Sequence, residues 1–146
     1  MTNCVLCNED LKPEEGHLVW CGDDCRIILV NDADLPGFCR VIWNAHVGEM
    51  TDLNHGEREH LMSLVFAVEE AVRQVMRPDK VNIAALGNMV PHIHWHIIPR
   101  YKNDAFYPGS AWSTKTQETP APILASRVQQ AGELSAAIRE AVSRLN

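Results

Sequence analysis

A chain of 146 residues has room for one domain with a core of its own, taken here as a single unit over 1–146. Its 46% hydrophobic and 22% charged residues are ordinary for a globular protein, and a net charge of −6 argues against a broad, sequence-independent grip on nucleic acid. A local basic site for one nucleotide is compatible with that charge. No apolar run reaches membrane-spanning length and the N-terminus lacks a basic stretch followed by an apolar one, so no membrane association and a cytoplasmic location are expected.

The N-terminal segment, 1–16, opens with Cys4-Val5-Leu6-Cys7. Two thiolates at this spacing can reach one tetrahedral ion, and in a reducing compartment zinc is a more natural use of them than a structural disulfide. A redox pair would sit at the start of a helix in a βαβ unit, whereas Pro13 and Gly16 follow here. Cys21 and Cys25 could complete an all-cysteine zinc knuckle, although Cys25 opens the run Cys-Arg-Ile-Ile-Leu-Val, where a small apolar strand residue is the simpler account.

Residues 17–20 and 26–30 read as a hairpin around Gly22-Asp23-Asp24. Asn31 to Gly37 breaks the pattern, and 38–43 resumes it as a strand. Leu61, Leu64, Val65, Val68, Val72, Val75 and Met76 recur at three- and four-residue spacing and predict a helix over 56–76, ended by Pro78. A strand over 81–85 and a turn at Leu86-Gly87-Asn88 lead to another strand over 90–98. Beyond Arg100 the aromatics Phe106, Tyr107 and Trp112 crowd an irregular loop, fit to be a flap, a contact between copies or a base-stacking platform. In the remaining tail, 113–146, Pro120 and Pro122 read as a linker, and Leu134, Ile138, Ala141, Val142 and Leu145 predict a helix over 132–145. The fold class is α+β: an antiparallel sheet of about five strands, one long helix packed on it, and a C-terminal helix.

Within 90–98, His92, His94 and His96 alternate with Ile93, Trp95 and Ile97, so a strand would line one face with imidazoles and the other with apolar side chains. Packing alone does not account for three such groups, because each buried imidazole brings a donor and an acceptor that need partners. Two chemistries remain. A metal could sit on the three histidines, in which case chelation abolishes activity. Otherwise one imidazole acts as a nucleophile while its neighbours handle protons and charge.

The run His92-Ile93-His94-Trp95-His96-Ile97-Ile98, closed by Pro99-Arg100, resembles the signature of the histidine triad (HIT) superfamily. The likeness extends back to Asn82 and to Gly87-Asn88, where the family has an asparagine and a Gly-Gln pair, and it spans Cys25 to Trp112. It implies a nucleotide phosphoanhydride hydrolase in which His94 attacks the α-phosphorus and forms a nucleotidyl-histidine intermediate. His96 would donate to the leaving or bridging oxygen, the His92 carbonyl would orient His94, and Asn82, Gly87 and Asn88 would hold phosphate oxygens. No catalytic metal is required.

The resemblance further implies a ribose-binding acidic residue at Asp32, with Asn31 second, against plain turn chemistry at the same place. It implies a structural zinc on Cys4, Cys7, His46 and His92, and a homodimer. The implied substrate is a dinucleoside polyphosphate such as diadenosine tetraphosphate, or another adenylylated small molecule. A nucleoside phosphoramidate is the nearest alternative, and a zinc-stabilised nucleotide-binding module without turnover is the alternative from another class. Phe38 stands where many family members have a fourth histidine, and Trp43-Asn44 replaces the usual Pro-Lys before His46.

Overall fold

The computed structural model describes residues 3–145. Strands β1 (Gly16–Cys21), β2 (Cys25–Val30), β3 (Cys39–Trp43), β4 (Lys80–Ala84) and β5 (His94–Arg100) form one sheet in the order β1-β2-β3-β5-β4. Every neighbouring pair is antiparallel. Helix α1 (His55–Met76) crosses between β3 and β4, and α2 (Ala121–Ala131) and α3 (Leu134–Ser143) follow the sheet. The expected α+β class and five-stranded antiparallel sheet are those observed.

Because side chains alternate along a strand, pairing register sorts the sheet into two faces. On one, Ile27, Val41 and Trp95 form a cross-strand row, and Leu29, Cys39, Ile97 and Ile83 form the next. These pack with Leu61, Leu64, Val65, Val68 and Val72 of α1 into the main core. The opposite face carries the row Leu18, Ile28, Arg40, His96 and Ala84, and beside it Arg26, Ile42 and His94. Apolar burial against α1 thus sets which way the polar row must point.

Local signals place α1 accurately. Asn54 accepts from the Glu57 N–H while the Glu57 carboxylate accepts from the Asn54 N–H, a reciprocal cap at 2.9 and 2.8 Å. The helix closes on Arg77 in the left-handed conformation, φ 47°, just ahead of Pro78.

Two expectations need correction. The triad strand begins at His94 rather than Val90, so only two of its three histidines lie on a regular strand. Pro91 has no N–H for a ladder, the His92 N–H turns back onto the Val90 carbonyl at 2.8 Å, and register with β3 starts at Ile42 and His94. The second concerns Pro120 and Pro122, which do not mark a linker: Pro120 caps α2 and Pro122 lies in its first turn. Prolines fit there because first-turn N–H groups have no intrahelical acceptor. Only Ala131 of α2 is buried, which left no apolar stripe to read, and the last helix is correspondingly shorter than expected, Leu134–Ser143.

Candidate active site and metal-binding cluster

His94 and His96 stand side by side on β5, their rings 4.9 Å apart and nearly perpendicular. The His94 Nδ1–H donates to the His92 carbonyl at 2.6 Å, which leaves the Nε2 lone pair for a ligand. Burial holds the His94 pKa below its usual value, and the nearby Arg40 charge adds to this against the opposing pull of the carbonyl. His94 is therefore a neutral imidazole with a free nitrogen. A cavity of about 200 Å³ opens at it, lined by Gly48, Glu49, Met50, Gly87 and His92 among others.

His96 is tied differently. Its Nδ1 accepts from Arg40 Nε at 3.2 Å, so the proton of the neutral ring sits on Nε2. Burial first, and then the Arg40 and His94 charges, push its pKa down to about 3. Phe38 meets the His96 ring edge-on at 5.6 Å, and Trp112 meets it at 4.8 Å. The crowded aromatic loop therefore closes on the triad, with Trp112 still 51% exposed.

His92 belongs to a second constellation. Its Nε2–H donates to the Trp43 carbonyl, turning the Nδ1 lone pair toward Cys4 Sγ at 3.5 Å and Cys7 Sγ at 3.6 Å. His46 Nδ1 lies 3.3 Å from Cys7 Sγ. The four donor atoms all fall within 4.8 Å of one another and could hold one metal ion. In a tetrahedral zinc site with ordinary bond lengths, neighbouring sulfur and nitrogen ligands stand about 3.6 Å apart, so these contacts have the right span. A ligating imidazole whose other N–H is fixed by a carbonyl is also the usual arrangement. Burial lowers the His92 pKa, which keeps the ring in the unprotonated form that a metal needs.

Among the described residues the three histidines do not form a shared metal site of their own: His94 and His96 commit Nδ1 elsewhere, and the group within range of one ion is Cys4, Cys7, His46 and His92. The all-cysteine knuckle is likewise not formed. Cys25 is buried in the core beneath the sheet, its thiol pushed up to about 12 by burial and by the Asp24 charge.

The loop after β5 is fastened from below. Asp104 takes hydrogen bonds from Arg100 Nε and from the backbone N–H groups of Tyr101, Phe106 and Tyr107, at 2.8 to 3.0 Å. Burial works to raise the carboxyl pKa, and these bonds outweigh it and hold it below the usual range. Arg100, 2% exposed, also donates to the Gly109 carbonyl and to Asn82 Oδ1. One buried guanidinium thus joins the Asn82 strand to the turn that presents Trp112.

The remaining sequence candidates are dispersed. Gly87 adopts φ 81°, where a side chain would be strained, and lines the His94 cavity; Asn88 is exposed on the same turn. Asp32 Oδ1 accepts from the N–H groups of Asp34 and Leu35, and Asn31 donates to the Glu14 carbonyl. Both line a separate groove with His17, Gly37 and Ser135 rather than the His94 cavity. Sequence reading missed Arg40 and Arg26. Each is a lone cation inside an apolar strand run, a signal in its own right: a buried charge requires partners. Arg26, 5% exposed, finds them in Asn44 Oδ1 and the Leu6 carbonyl and so ties down the Cys4–Cys7 segment.

Comparison with known proteins agrees with this architecture. The family model described as HIT domain matches residues 12–103. A histidine triad protein from Bradyrhizobium japonicum superimposes with a TM-score of 0.69 at 28% identity, over 88% of this chain and 91% of that one. The AP-4-A phosphorylase of Mycobacterium tuberculosis is 30% identical over 101 residues, 65% of this chain and 52% of that protein. An asymmetrical bis(5'-nucleosyl)-tetraphosphatase of Schizosaccharomyces pombe is 36% identical over 75 residues, 48% of this chain and 41% of that protein. The chain spans about half the length of these two curated relatives.

Proposed function

The chain belongs to the HIT family, and from that premise we propose that it cleaves a nucleotide phosphoanhydride at the α-phosphate through a covalent nucleotidyl-His94 intermediate. The observation that carries the reading is the hydrogen bond from His94 Nδ1–H to the His92 carbonyl, which frees Nε2 on a neutral ring. The charged oxygens of a phosphoanhydride repel hydroxide, and neutral water is a weak nucleophile; a neutral imidazole avoids that repulsion and is the stronger nucleophile. The His94 Nε2 lone pair forms the N–P bond as the P–O bond to the leaving group breaks. The departing oxygen keeps that electron pair and accepts a hydrogen bond from His96 Nε2–H. Water then attacks phosphorus and gives a proton to solvent, and His94 leaves as neutral imidazole.

In this reading Gly87 and Asn88 present N–H donors to phosphate oxygens, with Asn82 behind them. The groove of about 310 Å³ between residues 5–11 and the sheet, walled by Leu18, Ile28, Ile42, Arg26 and Arg40, takes the nucleoside. Asp32, with Asn31 second, is the ribose candidate carried over from the family resemblance. Both line the neighbouring groove with His17 and Gly37, and what supports their reaching this nucleoside is that the Asp32 charge acts on Arg40, a wall of its groove. The substrate class is a dinucleoside polyphosphate, a reading favoured by the names of the two curated relatives. Zinc on Cys4, Cys7, His46 and His92 would hold the N-terminal segment against the residue whose carbonyl orients His94, a structural role because four protein ligands leave no open position. A homodimer is part of the proposal, with β4 available as an outermost strand of the sheet.

The test is turnover of diadenosine tetraphosphate by wild type and by His94→Ala, with and without chelator, while trapping adenylyl-protein. Turnover that survives chelation and drops on the order of 10⁴-fold in the variant is expected. Nucleotide binding without turnover by wild type would replace the hydrolase with a binding module.

A further inference from the structure

The cross-strand row on the open face places a cation where an apolar strand offers no reason for one. Arg40 pairs with His96 in register, points its Nε–H at His96 Nδ1 at 3.2 Å, and stacks its guanidinium over Phe38 at 5.3 Å. Among the described residues, the charged, titratable and aromatic groups in contact with His96 bear on the same question. Arg40 comes from β3, Phe38 from the segment before it, Trp112 from the loop after β5, and His94 from the same strand. None of these is a carboxylate. The carboxylates whose charge reaches this corner, Asp32 and Glu15, act on Arg40.

We infer that Arg40 is a positioning residue that holds His96 as a single Nε2–H donor and thereby selects leaving groups that depart as stable anions over amines. This rests on the hydrolase reading above and deepens it. To protonate a departing amine, His96 would have to start as imidazolium, with hydrogen on both nitrogens, or take a proton at Nδ1 as it gives one from Nε2. Arg40 blocks both routes. Its N–H already fills the Nδ1 lone pair, its charge opposes a second one on the ring, and a guanidinium does not surrender its proton. A polyphosphate needs none of this: the oxygen takes the P–O electron pair, leaves as an anion and is stabilised by a hydrogen bond, with no proton transferred. An amine leaving a phosphoramidate must acquire a proton as the P–N bond breaks, and the ring held by Arg40 has no second proton to supply. The low pKa of His96 agrees with this geometry.

The experiment compares wild type, Arg40→Met and Arg40→Lys on diadenosine tetraphosphate and adenosine phosphoramidate, which share the adenylyl group and differ in what leaves. Wild type is expected to favour the polyphosphate. In Arg40→Met, kcat for the polyphosphate should fall roughly tenfold, the loss of one charge-assisted hydrogen bond. Any change in KM from the nucleoside groove that Arg40 also walls is common to both substrates and cancels in the ratio of kcat/KM values, which should move toward the amine by a similar factor. Arg40→Lys, which keeps a cationic donor, should recover most of the wild-type ratio. A ratio unmoved by Arg40→Met, or a wild type that prefers the phosphoramidate, overturns the inference.

Nitrogen-15 shifts of the histidine rings give a second readout that needs no turnover. Wild-type His96 should be the Nε2–H tautomer across neutral pH, and Arg40→Met should show tautomer exchange or a raised pKa. A wild-type ring protonated at Nδ1 overturns the contact outright. If the ring is as expected and neither substrate is turned over, the hydrolase reading has failed and the leaving-group role falls with it, while the Arg40–His96 contact stands.

Discussion

Two histidines apart by two residues, His92 and His94, end in different chemistry, and the difference lies in which ring nitrogen meets a backbone carbonyl. His92 gives Nε2–H to Trp43 and turns Nδ1 toward two thiols; His94 gives Nδ1–H to His92 and keeps Nε2 open to a cavity. Backbone carbonyls that fix the tautomer therefore divide one run of sequence into a corner that could hold a metal ion and a ring with an open nitrogen, the nucleophile of the proposed reaction. The two corners are joined through His92 itself, whose ring serves the first and whose carbonyl serves the second.

The largest expected effect comes from loosening one corner while sparing the other. Asp104→Ala removes the partner of a buried guanidinium, and breaking such a pair costs about 3–5 kcal/mol. Urea unfolding should show that loss with metal content unchanged, and Trp112 emission should report a looser loop over His96. Cys7→Ser makes the opposite cut. Zinc should be found in wild type purified without chelator and lost in the variant, with a melting temperature lower by several degrees and His94-dependent turnover retained at room temperature. Metal-free wild type would separate the two corners altogether.

Acid provides a graded test of the His94–His96 corner. The His96 pKa falls from an ordinary 6.5 to about 3 on folding, so between those values the unfolded chain binds a proton that the folded chain refuses. Its contribution is whole above the unfolded value and is lost as pH falls toward 3, with a slope of up to about 1.4 kcal/mol per pH unit. His92 and His94 shift in the same direction. Urea midpoints from pH 7 to pH 4 should therefore fall, and His96→Asn should flatten the fall; parallel curves would remove His96 from the account. The smallest effect is a reference outside both corners. Asn54→Ala deletes the α1 cap for about 1 kcal/mol and should leave turnover and metal content alone.

Much of this arrangement is written in local pattern. The α1 stripe and its Pro78 stop, the strand pattern on either side, and the alternation around Trp95 are all short-range features, each expressing a periodicity or a backbone constraint within a few residues. The family signature is equally local, which is why the triad and the two cysteines could be singled out with no coordinates. Harder to read were α2, whose exposure leaves no stripe, and the start of β5, where Pro91 and a turn displace His92 from the strand.

What the chain order could not show is which nitrogen of each histidine is free, since that depends on carbonyls and cations brought from elsewhere: Trp43 and Arg40 on β3, Cys4 and Cys7 from the N-terminal segment. Local pattern chose the residue types and the faces on which they stand. Packing of the sheet on α1, which puts Arg40 beside His96 and leaves His92 facing two thiols, chose their protonation and therefore their chemistry, because hydrogen-bond partners distant in sequence decide where an imidazole keeps its lone pair.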